Sequence, residues 1–203
     1  MKNYLFMSFL FLLVSCICAG TEAAGPDFTD NLGKVVKQGD NYKIRLLDSG
    51  GEGVKTAEAV FLIKARPETV FIAVTDFDHY PEFMPNIVKA IPVSSNNENK
   101  KYSFTLKVAL WDIEYTLLLK PGNKGDSYSL DWTFVEGDIK DTTGSWRIRP
   151  YEEDNRYSLI YYRVKTDPGR FVPDWVADRL STKSIPDMIE AVSKRSVEVR
   201  KIP

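Results

Sequence analysis

Apolar and polar residues alternate along five segments in the second half of the chain. In "YSFTLKVAL" (102–110), Tyr102, Phe104, Leu106, Val108 and Leu110 fall on one face, with Ser103, Thr105 and Lys107 on the other. "IEYTLLLK" (113–120) gathers Ile113, Tyr115, Leu117 and Leu119. "YSLDWTFVE" (128–136) sets Leu130, Trp132 and Phe134 against Asp131 and Thr133. "GSWRIRP" (144–150) sets Trp146 and Ile148 against Arg147 and Arg149. "YSLIYYRVK" (157–165) turns Ile160, Tyr162 and Val164 inward, because Arg163 and Lys165 belong in water. A period of two over five segments predicts an antiparallel sheet with one wet face. The connectors "PGNKGD", "EGDIKD" and "EEDN" are turn chemistry, so the strands run as a meander.

Two earlier strands, "YKIRLL" (42–47) and "AEAVFLIKA" (57–65), flank the glycine-rich "DSGGEGVK" and read as a hairpin. The pattern then changes. Pro67 and Glu68 suit a first helical turn, and Val70, Phe71, Val74 and Phe77 share a helical face. Pro81 and Pro85 cut this segment into a helix of three turns and a very short second helix or turn. The chain ends in a helix opened by Pro173 and Asp174, with Ile185, Met188, Ile189 and Val192 at helical spacing. At Pro186 either that helix kinks, or Ser184 caps a second helix with Pro186 and Asp187 in its first turn.

These elements define an α+β fold. A strongly curved antiparallel sheet presents one apolar face, and a long C-terminal helix covers it. A sheet curled around a helix can leave a cavity between the two. The inward residues of the five strands include no Asp, Glu, Lys, Arg or His. Tyr102, Tyr115, Tyr162 and the indoles of Trp132 and Trp146 are the polar handles. Such a lining suits an apolar ligand held by a few hydroxyl contacts and lacks paired titratable groups for acid–base chemistry. Without a cavity, the same residues simply fill a core.

Charge changes the picture little. With 27 Lys and Arg against 28 Asp and Glu, there is no basic field to attract nucleic acid. Both cysteines, Cys16 and Cys18, precede the folded part, which therefore has no internal disulfide, thiolate ligand or cysteine nucleophile. They belong to a leader: Lys2, then an apolar run from Tyr4 to Val14, then small residues, as in a secretory signal peptide. Residues 1–23 are assigned to it, with an uncleaved anchor as the alternative, since the apolar run counted through Ala19 approaches the length of a membrane span. Thr21–Ala23 offers an ordinary cleavage site. "LVSC" (13–16) instead resembles a bacterial lipobox that would place a lipid on Cys16. Residues 24–40, polar and glycine-bearing, read as a linker, and residues 41–203 as the domain.

"TDFDHYPEFMP" (75–85) crowds Asp76, Asp78 and Glu82 around His79, the single histidine. A catalytic zinc needs three protein ligands, and only Glu82 stands at a helical offset from His79, so no metal site is expected. A general base needs a substrate beside it. The apolar members Phe77, Tyr80, Phe83 and Met84 are expected to pack inward, leaving the acids and histidine as a solvated edge.

The order of hairpin, small helices, meander and long helix resembles the helix-grip fold of START lipid-transfer domains and the birch-pollen-allergen superfamily. "TDFDHYPEFMP" resembles a signature of the coenzyme-Q-binding, polyketide-cyclase-like branch. "YRVKTDPGRFVPDWVADRL" (162–180) resembles the last strand, turn and helix opening of that branch and of START domains. The resemblance covers about residues 54–200. It implies a cavity between sheet and helix. The expected ligand-binding residues are Phe104, Leu106, Val108, Tyr115, Leu117, Trp132, Phe134, Trp146, Ile148 and Tyr162 from the sheet, with Trp175 and Leu180 from the terminal helix. The expected function is an exported protein, periplasmic or tethered as a lipoprotein, that binds a lipid or other hydrophobic small molecule. No catalytic residue, metal or cofactor is expected. Lys183, Lys194, Arg195, Arg200 and Lys201 either offer contact with anionic headgroups of a membrane or form an ordinary solvated face diluted by Glu190 and Glu198. Two alternatives remain: an aromatase/cyclase-type enzyme using Tyr115, Tyr162 and His79, and a lipoprotein with a filled core that only contacts partners.

Overall fold

The computed structural model describes residues 34–39, 41–48, 54–96, 98–108, 110–151, 154–169 and 183–199. The expected leader with Cys16, most of the expected linker, and the helix opening with Trp175 and Leu180 lie outside these residues.

Alternation becomes a single sheet. Among the described residues its nine strands are β1 (Lys34–Gly39), β2 (Tyr42–Asp48), β3 (Lys55–Ile63), β4 (Ile87–Ser95), β5 (Lys100–Val108), β6 (Trp111–Lys124), β7 (Ser127–Gly137), β8 (Asp141–Tyr151) and β9 (Asp154–Asp167). The order is β1-β2-β3-β9-β8-β7-β6-β5-β4 and every pairing is antiparallel. The long excursion is the step from β3 to β4, which carries α1 (Pro67–Thr75), a 3-10 turn (Phe77–His79) and α2 (Tyr80–Phe83). The C-terminal helix is α3 (Ile185–Val199).

Two strands depart from the sequence reading. β1 occupies part of the expected linker, because "KVVKQG" is too short to show a period yet pairs with β2 across a tight connection. β4 escapes the alternation rule because Pro92 interrupts it. Proline lacks the N–H that a central strand must donate, and it is tolerated here because β4 is a sheet edge. The register slips between Pro92 and Ser94.

Helix α1 is nine residues long, somewhat under three turns. Val70, Val74 and Phe77 are buried as the spacing predicts, while Phe71 turns aside to stack on Tyr128 at 4.8 Å. The Tyr80 hydroxyl donates to the Val74 carbonyl at 2.5 Å and fixes α2 against the end of α1. In α3, Pro186 and Asp187 lie in the first turn, preceded by a π-type turn at 183–184. Ile185, Met188, Ile189 and Val192 are all buried, as expected.

One core cluster joins residues of β2, β3 and β5–β9 with those of all three helices. Phe61 meets Trp146 edge-on at 5.9 Å within it. Sheet neighbours lie about 4.8 Å apart. A cluster that includes both Phe61 of β3 and Phe104 of β5, five places apart in the order, therefore requires a sheet curled around its helices.

Candidate ligand pocket

The inward face does not close completely. A pocket of about 280 Å³ lies between the sheet and the helices. That is the lower edge of the range for small-molecule sites. Its described walls come from β3 (Lys55, Ala57), β5 (Phe104, Leu106), β6 (Ile113, Tyr115, Leu117, Leu119), β7 (Leu130, Trp132), β8 (Thr142, Trp146) and β9 (Tyr162, Val164, Thr166). Phe77, Tyr80 and Met84 enter from the small helices, and Ile185 and Met188 from α3.

Seven of the residues expected from the sequence meet here: Phe104, Leu106, Tyr115, Leu117, Trp132, Trp146 and Tyr162. Three described ones do not. Ile148 is on the same face as Trp146 but two residues further along β8, where it is sealed in the core at 1% exposure. Val108 belongs to a small satellite cluster with Ile113 at the β5–β6 hairpin. Phe134 stands beside the β-bulge at Val135, which interrupts pairing with β6, and is only partly buried outside the lining. Alternation had placed Ile113, Leu119, Leu130 and Val164 on the inward face. Ala57 and Thr142 carried no signal, being small and set among residues of mixed polarity.

Two glycines shape the walls. The Trp132 ring lies over Gly144 of β8, where any Cβ would collide with that ring and with the Arg163 carbonyl. Gly137, at φ 140°, pairs with Tyr115, and a Cβ there would strike the backbone of Glu114 and Tyr115. A Gly144→Ala variant is expected to lose on the order of 1–3 kcal/mol of stability through overpacking, with altered tryptophan fluorescence as Trp132 is displaced. Denaturant unfolding measures the first, and an unchanged midpoint would refute this account of Gly144.

The polar groups of the pocket are few. The Thr142 and Thr166 hydroxyls bond to each other at 3.0 Å. Tyr80 donates to Val74, as described. Among the described residues, the hydroxyls of Tyr115 and Tyr162 have no hydrogen-bond partner, and neither do the Trp132 and Trp146 indoles. The surface that Tyr115 and Tyr162 leave free faces the pocket. Loss of water contact raises the Tyr115 hydroxyl to about 12 and pushes Tyr162 higher still, with Tyr115 adding to the latter shift. Both are therefore neutral hydroxyls at any physiological pH.

Tyr102, another expected handle, is used differently. Its hydroxyl donates to Asp78 at 2.9 Å, outside the pocket. Burial, then that bond, raise it to about 12. The cluster around His79 is likewise no pocket wall. The His79 side chain is 50% exposed, and its Nδ1 lies 2.6 Å from Asp76. The other Asp76 oxygen accepts a bond from Arg195 of α3 at 2.5 Å. This is a clasp between the turn after α1 and the terminal helix. No group of three or more potential metal ligands occurs among the described residues.

The clasp has a pH signature. Burial opposes ionisation of Asp76, but hydrogen bonds from Arg195 and His79 outweigh it and hold the carboxyl below its ordinary value. Hydrogen bonding to Asp76, then its charge, raises His79 above 6.5. The His79 contribution to stability is thus fully present below pH 6.5 and lost as pH rises through its raised pKa. The Asp76 contribution is present above its unfolded value and lost as pH falls through its lowered one. An NMR titration is expected to show His79 above 6.5 and back near about 6.5 in Asp76→Asn. No difference between the two proteins would dissolve the clasp.

The model of the family described as "Polyketide cyclase / dehydrase and lipid transport" matches residues 63–193. The chain belongs to this family. The match runs from the end of β3 into α3 and so contains most of the pocket's walls. Among curated proteins, no sequence matches the chain. Solved structures share the fold at low identity. The STAR-related lipid transfer protein of Xanthomonas axonopodis superposes with a TM-score of 0.70 at 13% identity, over 84% of this chain and 100% of that one. Human StAR-related lipid transfer protein 5 gives 0.72 at 13% identity, over 84% and 89%. The Zhui aromatase/cyclase of a Streptomyces species gives 0.51 at 16% identity, over 72% and 88%. The α+β helix-grip architecture is thereby established for this member of the polyketide cyclase and lipid transport family, with the START and cyclase resemblance noted from its motifs.

Proposed function

We propose that this protein binds a lipid or other hydrophobic small molecule between its sheet and α3, and that it does so outside the cytoplasm after export by its leader. The observation that carries the binding reading is the composition of the pocket. Its described lining contains one ionisable cation, Lys55, at the first residue of β3, and is otherwise apolar, hydroxyl or indole. Each ligand CH₂ moved into it from water is worth about 0.8 kcal/mol. The family and the two lipid transfer structures are consistent with this reading. The leader pattern alone supports export.

The cyclase alternative needed Tyr115, Tyr162 and His79 around one cavity. Tyr115 and Tyr162 line it, and His79 stands outside on the exposed clasp. Both tyrosines hold their protons far above neutral pH, which suits hydrogen bonding to a ligand better than proton transfer.

Membrane contact gains a different candidate from the cations of the terminal helix. Arg195 is engaged by Asp76 and Glu198, and Arg200 and Lys201 lie outside the described residues. At the β5–β6 hairpin, however, Leu110 is 98% and Trp111 48% exposed. The tip adjoins the pocket end formed by Leu106, Ile113, Ile139 and Lys55. An exposed Leu–Trp pair suits the bilayer interface. A Leu110→Ser, Trp111→Ser variant is expected to lose several-fold in sedimentation with phosphatidylcholine vesicles, and unchanged sedimentation would remove the tip from this role.

The test of binding is titration of the full chain with N-phenyl-1-naphthylamine, a neutral apolar fluorophore. Saturable one-to-one enhancement, displaced by long-chain lipids, is expected. A linear, unsaturable signal would refute a binding pocket.

A further inference from the structure

We propose that the bound molecule is uncharged and carries an oxygen acceptor, a ketone, ester or similar carbonyl, which sits between the hydroxyls of Tyr115 and Tyr162. This rests on the binding function just proposed and narrows its ligand class.

The two tyrosines reach the pocket from separate walls. Tyr115 is on β6 and Tyr162 on β9, three places apart in the sheet. The rings are held in place by their neighbours: Tyr162 packs against Trp146 at 4.9 Å and Trp132 at 5.9 Å, and Tyr115 against Phe104 at 6.0 Å. Their hydroxyls have no partner among the described residues. A donor that opens onto an apolar pocket becomes costly once a ligand excludes water without pairing it, and native proteins pair nearly all buried donors. A carbonyl oxygen has two lone pairs and accepts from two donors at once. The third nearby tyrosine is no rival donor, since the Tyr80 proton is committed to Val74.

The absence of charge follows from the rest of the lining. β5, β6, β7, β8 and β9 contribute no ionisable residue other than tyrosine to the described walls, and neither do the helices. Lys55 is paired in register with Thr166, and Tyr162 lies four residues away along β9. At about 3.3 Å per residue that is roughly 13 Å. A carboxylate or phosphate seated between the tyrosines would therefore find no counterion beside it among the described residues and would be desolvated without compensation from them. The hydroxyls select for an acceptor, and the uncharged described lining selects against an anion.

The experiment is displacement of N-phenyl-1-naphthylamine from the full chain by 2-decanone, decane and decanoate, which share a chain length and differ at the head. The ketone is expected to displace the probe at about tenfold lower concentration than either of the others. In the Tyr115→Phe, Tyr162→Phe double variant, which keeps both rings, ketone displacement is expected to weaken about tenfold while decane is unchanged. Decanoate binding as tightly as the ketone, or a double variant that keeps the ketone–decane ratio, would overturn the inference. Equal binding of all three would leave the binding function standing and remove only the acceptor. Failure of the probe and all three compounds to bind would remove both.

Discussion

Replacing Val164 with tryptophan is expected to abolish ligand binding while the protein stays folded. Val164 lines the pocket from β9 and keeps part of its surface open toward it, so a larger side chain has the pocket volume to enter. Excluding about four CH₂ groups of a ligand from apolar contact at about 0.8 kcal/mol each removes about 3 kcal/mol, more than a hundredfold in affinity. The accompanying strain is expected to stay within about 1–3 kcal/mol. Probe titration measures the first quantity and thermal unfolding the second. Retained affinity in a folded variant would place the ligand elsewhere.

Replacing Glu58 with alanine is expected to have the largest effect on stability. Glu58 lies on the outer face of β3, directly in register with Arg45 of β2 and Arg163 of β9. It is 2% exposed, and Arg45 is 4% exposed. Arg45 donates to it through Nε at 2.8 Å and a terminal nitrogen at 2.7 Å, and Arg163 approaches the other oxygen at 3.3 Å. Removing the carboxylate breaks this buried ion pair, at a cost of about 3–5 kcal/mol. For a chain of this size that corresponds to a fall in Tm of roughly 6–20 °C. Arg163, half in water, contributes far less, so Arg163→Ala is expected to shift Tm by only a few degrees. Equal effects at the two positions would show that burial does not govern this row.

The seven expected pocket residues share one property. Each lies on a stretch of strand whose period of two is unbroken, including Trp132 ahead of the bulge in β7, so a single inward residue fixes the face of its neighbours. The reading failed where that period failed. Pro92 hid β4, and the bulge at Val135 moved Phe134 off the wall. It also failed along the strand axis, because alternation gives a side of the sheet and not a depth. Ile148 and Trp146 share a face, yet one is under the helices and the other beside the pocket. The His79 segment was legible as a mixture, with Phe77, Tyr80 and Met84 going inward and the ionic residues remaining outside. Its link to Arg195 of α3, more than a hundred residues later, had no local signal. The tyrosines were legible as polar handles, but not which of them would be used locally: Tyr102 donates to Asp78, while Tyr115 and Tyr162 have no partner among the described residues.

The most direct measurement is mass spectrometry of organic extracts from the protein purified from the cells that make it, with the Val164→Trp variant prepared in parallel. A stoichiometric, uncharged, carbonyl-bearing molecule in the native protein and its absence from the variant is the expected result. An empty native protein that also fails to bind N-phenyl-1-naphthylamine would contradict the binding function outright.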